Sequence, residues 1–213
     1  MLELLDNQIT PLGCEHIGKI LHPAAKSQMT HLKLDHNRFG SAGLKFLADG
    51  LAQNKTIEHL SLSYCDIDES GARYLFEILI YTQSNLQDLI LNGNHLRNEG
   101  TIEVLKGVSV AKNLKHFHIA DNQFVEEDEV LDAIDKCMKK NQNLGHYDFK
   151  YNFLGDHGVG RICITLEDAS HVFNVEIPER ISKERLEEFR EKIQANKPKK
   201  GKGGKGGKKK KKK

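Results

Sequence analysis

The chain has 213 residues, with 32 lysines and arginines against 30 aspartates and glutamates, and 38 % of its residues are hydrophobic. No apolar run is long enough for a membrane helix, no signal-peptide pattern is present, and neither a Gly-Lys-Ser/Thr phosphate loop nor a nucleophile elbow occurs, so the sequence offers no motif for an enzyme. The formal charge of +2 hides a split: residues 197–213 hold 11 lysines and no acid, which leaves 21 basic residues against 30 acidic ones, a formal −9, in the rest.

An asparagine returns on a fixed beat along the chain. Asn7, Asn37, Asn94, Asn122 and Asn152 each follow an apolar-x-apolar pair, and Cys65 fills the missing slot, at intervals of 30, 28, 29, 28 and 30 residues. A period of that size predicts a solenoid of stacked units, none of which can bury its apolar face alone. The first unit is short, Leu2-x-Leu4-x-x-Asn7-x-Ile9. The second reads Met29-x-x-Leu32-x-Leu34-x-x-Asn37-x-Phe39, the third Ile57-x-x-Leu60-x-Leu62-x-x-Cys65-x-Ile67 and the fourth Leu86-x-x-Leu89-x-Leu91-x-x-Asn94-x-Leu96. The fifth, Leu114-x-x-Phe117-x-Ile119-x-x-Asn122-x-Phe124, and the sixth, Leu144-x-x-Tyr147-x-Phe149-x-x-Asn152-x-Leu154, follow the same template. Six residues past each slot stands a glycine (Gly13, Gly43, Gly71, Gly100, Gly158), with Asp128 as the exception. The apolar pair predicts a short strand with one buried face. The Asn or Cys is expected to bond unpaired loop backbone, and the glycine to suit a tight turn into a helix. A helix is predicted after each, such as Gly43 to Gln53 with Leu44, Leu47 and Leu51 on one face.

This template resembles that of the leucine-rich repeat family, L-x-x-L-x-L-x-x-N/C-x-L, and the period with its helical return is similar to the ribonuclease-inhibitor-type subclass. The resemblance covers residues 1 to about 160 and implies an α/β horseshoe, a parallel sheet on the concave face and helices on the convex one. Val172-x-x-Val175-x-Ile177 then reads as a closing seventh strand, ended by Pro178, with Arg180 in the asparagine slot. The predicted organisation is a solenoid over 1–181, a capping helix over 182–196 that starts at Ser182 and buries Leu186, Phe189 and Ile193, and a disordered lysine-rich tail over 197–213. At the other end Leu2, Leu4 and Ile9 would lie on an open edge, expected to pair with another chain or with a missing repeat of a longer array. Cys14, Cys65, Cys137 and Cys163 fall on different repeats without metal-type spacing, which argues for reduced thiols in a cytoplasmic or nuclear setting.

Period-2 logic gives the concave columns. His31, His59, Asp88, His116 and His146 form one; Glu3, Lys33, Ser61, Ile90, His118, Asp148 and Glu176 form the next. Asp35, Ser63 and Asn92 belong to a third, open column, and His36, Tyr64, Gly93, Asp121 and Tyr151 stand at the strand exits. Taken singly each is a solvated strand residue. Together they make a polar field with aromatic anchors, and the expected protein-binding set is His31, His59, Tyr64, Asp88, His116, His118, His146, Asp148 and Tyr151. His116, His118, His146 and Asp148 are also an imidazole–carboxylate set of the kind metals use, but the recurrence of histidine favours a pH-dependent surface, and no metal or cofactor is assigned.

The resemblance implies a non-enzymatic interaction module, which is the leading reading, since ribonuclease-inhibitor-type repeats serve as adaptors, inhibitors, immune sensors and parts of ciliary axonemal complexes; a small array with a lysine-rich tail is compatible with a cytoskeletal or ciliary complex, though no residue is diagnostic of one. GTPase-activating proteins for the nuclear-transport GTPase share the architecture alone, with an acidic segment where this chain is basic. A third reading is nucleic-acid binding through the tail, because the acidic body would repel polyanions. The tail lysines, Lys197, Lys199, Lys200, Lys202, Lys205, Lys208, Lys209, Lys210, Lys211, Lys212 and Lys213, would serve an anionic partner: tubulin tails, nucleic acid or acidic lipid.

Overall fold

The computed structural model describes residues 1–198. Lys199, Lys200, Lys202, Lys205 and Lys208 to Lys213, named above for a polyanion, lie outside the described residues; Lys197 lies at the end of the last helix and is exposed. Strands and helices alternate: β1 (Leu2–Glu3), α1 (Pro11–Leu21), β2 (His31–Lys33), α2 (Gly40–Leu51), β3 (His59–Ser61), α3 (Ala72–Leu79) and β4 (Asp88–Ile90). They continue as α4 (Arg97–Val108), β5 (His116–His118), α5 (Asp128–Lys140), β6 (His146–Asp148), α6 (Asp156–Asp168), β7 (Asn174–Glu176) and α7 (Lys183–Asn196). The seven strands form one sheet in chain order, every neighbouring pair parallel. This is the α/β leucine-rich repeat solenoid that the period predicts.

Register follows the repeat. Leu32, Leu60, Leu89, Phe117 and Tyr147 are successive partners across the sheet, and none is more than 1 % exposed. The asparagines hold this stack from the side. Asn94 Oδ1 accepts from the N–H groups of Cys65 and Ile67 at 3.1 and 3.0 Å, and its Nδ2 donates to the carbonyls of Leu62 and Leu91 at 2.9 and 2.8 Å. Asn37 makes the same links to Asn7, Ile9, Leu4 and Leu34. Each slot from Asn37 onward therefore bonds the preceding repeat as well as its own loop. The Cys65 thiol donates to the carbonyls of Leu34 and Ser63 at 3.3 and 3.4 Å.

The glycine after each slot does something other than turn the chain. Gly43, Gly100 and Gly158 lie inside helices, and none of them has a positive φ. A side chain there would instead strike the apolar residue four positions earlier: a Cβ on Gly43 would come to 2.6 Å from Phe39 Cβ, and one on Gly71 to 2.7 Å from Ile67 Cγ2. The turn into α2 comes from Gly40, at φ +62°, so the helix starts three residues before the expected Gly43.

At the end of the array Ser182 Oγ accepts from Arg185 N at 3.3 Å, and Phe189 and Ile193 of α7 are buried in the shared core. Leu186 is half-buried. All four cysteines are free and buried, and burial pushes the thiols of Cys14, Cys65 and Cys137 up to about 12, so they stay protonated near neutral pH. Among the described residues no helix is long and apolar enough to cross a membrane.

Candidate protein-binding face

Three-residue strands present alternate side chains to the concave side, and the parallel register stacks equivalent positions. The first column runs His31, His59, Asp88, His116, His146 and then Asn174. The His31 and His59 rings stack with centroids 4.0 Å apart. Asp88 is bracketed: Oδ2 meets His59 Nδ1 at 2.5 Å, and Oδ1 meets His116 Nδ1. His146 lies 5.4 Å from His116 and 4.9 Å from His118, ring centre to ring centre. The histidine field is thus continuous across five strands. Among the described residues, no group of three or more histidine, cysteine, aspartate or glutamate side chains is placed to hold a metal ion.

One residue of the predicted set is buried beneath its neighbours on the concave face. Asp148 is only 6 % exposed; Oδ2 lies 3.6 Å from His118 Nδ1, and Oδ1 accepts from Lys150 N at 3.1 Å. Burial pushes its carboxyl up, but the His118 hydrogen bond, the Lys150 N–H and the Lys150 charge outweigh that and leave it below the ordinary carboxylate value. In the third column Asn92, expected on the open face, accepts from Ala120 N through Oδ1 at 2.9 Å, and Asp35 Oδ1 accepts from Ser63 N at 2.7 Å. A carboxylate or amide oxygen there can reach the neighbouring strand's N–H, so that column partly serves the fold.

The strand exits carry the exposed anchors. Asp6, His36, Tyr64, Gly93, Asp121 and Tyr151 all lie in the left-handed region, with φ between 53° and 68°. Gly, Asp and Asn suit that backbone; a tyrosine there costs roughly 1 kcal/mol or more. Yet Tyr64 and Tyr151 are 44 % and 67 % exposed. Tyr64 stacks on His36, centroids 4.7 Å apart and planes within 8°, and its ring lies over Gly93, where any Cβ would collide with it. Phe153, 64 % exposed, extends the aromatic surface beyond Tyr151, and the two line a groove with Pro178 and Arg180. Sequence reasoning passed over Phe153. Its signal was the contrast with the polar residues at the same repeat position, Gln8, Arg38, Asp66, His95 and Gln123.

His146 gives this face a pH-dependent contribution to stability. Burial lowers its pKa below the ordinary 6.5, His118 and His116 lower it further, and Glu176 and Asp148 oppose the shift. Asn174 Nδ2 donates to His146 Nδ1 at 3.0 Å, a bond that protonation at Nδ1 would break. The unfolded chain therefore binds a proton at His146 more readily than the folded one. That stability is complete above about pH 6.5 and is lost as the pH falls through the lowered folded value. Thermal melts of the native chain and His146→Asn between pH 8 and 5 should show a smaller acid-side drop in the variant; parallel curves would refute the assignment.

The chain shares this architecture with known proteins. A family model described as Leucine Rich repeat matches residues 27–48 and 53–76. Ribonuclease inhibitor of Mus musculus is 26 % identical over 163 residues, spanning 76 % of this chain and 35 % of the relative. NACHT, LRR and PYD domains-containing protein 13 of Homo sapiens is 26 % identical over 156 residues, spanning 73 % of this chain and 14 % of the relative. The chain thus corresponds to a minor part of either relative's length. Among solved structures, leiomodin-1 actin-binding site 2 superposes with a TM-score of 0.56 at 15 % identity, over 85 % of this chain and 95 % of the other. The tropomodulin C-terminal domain of Caenorhabditis elegans gives 0.53 at 17 % identity, over 86 % and 92 %. At such identities the likeness is one of fold.

Proposed function

The chain is a leucine-rich repeat protein of the ribonuclease-inhibitor-like type, and from that premise we propose that it is a non-catalytic protein-binding module, an adaptor or scaffold that takes its partner on the concave face. One observation carries the reading: two tyrosines stand exposed on left-handed backbone where Gly, Asp or Asn would fit at lower cost. The chain holds them there against its own stability, and exposed aromatic anchors in a polar field dominate interface energies. His31, His59, Asp88, His116, His118 and His146 supply the polar field, with Asp148 beneath positioning His118. Tyr64→Ala with Tyr151→Gly should weaken capture of co-purified partners at least about tenfold. The same pair should change the melting temperature little, since the strain relieved by glycine at residue 151 offsets the stacking that Tyr64 loses against His36. Undiminished capture would mean the partner sits elsewhere. Affinity should also change as the pH falls through the lowered pKa of His146 and that member of the polar field charges.

The lysines of 197–213 are proposed to serve an anionic second partner, and the reading is supported by 11 positive charges without a single acid. A cytoskeletal or ciliary setting, with acidic tubulin tails as that partner, fits the same charge. Deleting residues 197–213 should leave the melting temperature nearly unchanged and abolish salt-sensitive retention on heparin, on acidic vesicles or on microtubules. Retention that survives the deletion would assign polyanion binding to the acidic body.

A further inference from the structure

On the convex side, away from the concave site, a groove of about 670 Å³ is lined by α3, α4 and α5. Its apolar surface includes Ile80, Ile102, Val110 and Ala133. Ile80 and Val110, in the turns just past α3 and α4, are 42 % and 39 % exposed. Gly107 draws α4 close to α3: a Cβ there would come to 3.0 Å from Leu79 Cβ and 3.3 Å from Phe76 Cα. Ala133 leaves the α5 side of the groove low.

Three lysines, Lys106, Lys136 and Lys140, line the same groove. Lys106 pairs with Glu103 at 2.9 Å, an exposed pair that holds little of its charge back. Among the described residues no ion pair engages Lys136 or Lys140, and Glu129 is the one acid lining the groove. A local excess of positive charge here stands out against a body of formal −9 outside the tail.

We infer that this convex groove is a second docking site, for an amphipathic helix that sets apolar anchors between α3 and α5 and carries acidic residues beside them. Charge selects this occupant. Outside the lysine-rich tail the body is formally −9, so three lysines gathered around one apolar groove give an acidic helix a local attraction at this face. The chain's own lysine-rich segment would meet three lysines, and a second copy docked symmetrically would set those lysines against their equivalents; like charges oppose both. Apolar anchors at i, i+4 and i+7 on one helix face match a groove between helices.

Panning a displayed library of random peptides of about 16 residues, four to five helical turns, against the full chain tests this. Recovered binders should space Leu, Ile or Phe at helical intervals with Asp or Glu adjacent. Lys136→Glu with Lys140→Glu should weaken them at least about tenfold, and Val110→Glu likewise. Both variants are on the surface and should keep the native melting curve, and Tyr64→Ala with Tyr151→Gly should leave these peptides unaffected. Loss at the tyrosines with retention at the lysines would overturn the inference while supporting the concave site. Recovery of no binder, or of binders without acidic residues, would also overturn it. A concentration-dependent dimer in sedimentation, abolished by Val110→Glu, would give the groove to a second copy instead.

Discussion

Gly50→Ala is expected to lower the unfolding free energy by about 3 kcal/mol, at the upper end of overpacking effects. Helices α1 and α2 touch backbone to backbone. A Cβ on Gly50 would fall inside the Gly18 carbonyl, with the Gly18 carbonyl carbon at 2.8 Å and Cα at 2.9 Å, and a Cβ on Gly18 would fall inside the Phe46 carbonyl. Neither obstacle is a side chain that can swing away, so the helices must part, and Leu47, Leu51, Ile17 and Leu21 lose packing with them. Alanine's better helix propensity returns about 1 kcal/mol, too little to change the sign. Gly155→Ala is the control: its nearest neighbour is the Glu126 carboxylate, at 3.3 Å on a flexible side chain, and it should cost under about 1 kcal/mol. Because repeats couple to nearest neighbours, the damage should be local. Amide exchange in α1 should accelerate while β5 and β6 stay protected. A urea midpoint for Gly50→Ala equal to that of Gly155→Ala would show that α1 and α2 do not touch in this way.

That contact was invisible in the sequence, whereas the sheet was legible almost residue by residue. In a parallel repeat array every strand shares one offset, so a period of about 29 residues sets Leu32 beside Leu60 and His59 beside Asp88 without further information. Gly18 and Gly50 fall outside the repeated motif, and their meaning depends on how two helices cross. The roles of Asn92 and Asp35 were hidden for a similar reason. Period 2 says which face a side chain leaves from, but not that a short amide or carboxylate can fold down onto the next strand's N–H. The two exposed tyrosines are legible as aromatics in a polar column. What marks them more strongly, their left-handed backbone, needed the dihedral angles.

Asn94→Ala is the second large effect, about 3 to 5 kcal/mol, because one amide serves groups in two repeats. Its loss leaves the N–H groups of Cys65 and Ile67 without an acceptor and the Leu62 carbonyl without the amide donor, in a part of the loop stack that excludes water. The Leu91 carbonyl suffers less, since Asn122 Nδ2 also donates to it at 2.9 Å. Each buried group left unpaired costs about 1 to 3 kcal/mol, and an alanine methyl can satisfy none of them. Asn92→Ala, two residues away, removes a single bond to Ala120 N at a half-exposed site where water can replace it, and should cost about 1 kcal/mol. Asn94→Cys should fall between the two. Cys65 already occupies an equivalent slot with a thiol that donates to two carbonyls, but sulfur is a weak acceptor for the two N–H groups that Asn94 Oδ1 now holds. Urea unfolding of the three variants should therefore rank them Asn94→Ala, Asn94→Cys, Asn92→Ala from most to least damaged. Equal midpoints for Asn94→Ala and Asn92→Ala would mean that the asparagine slot does not tie one repeat to the next.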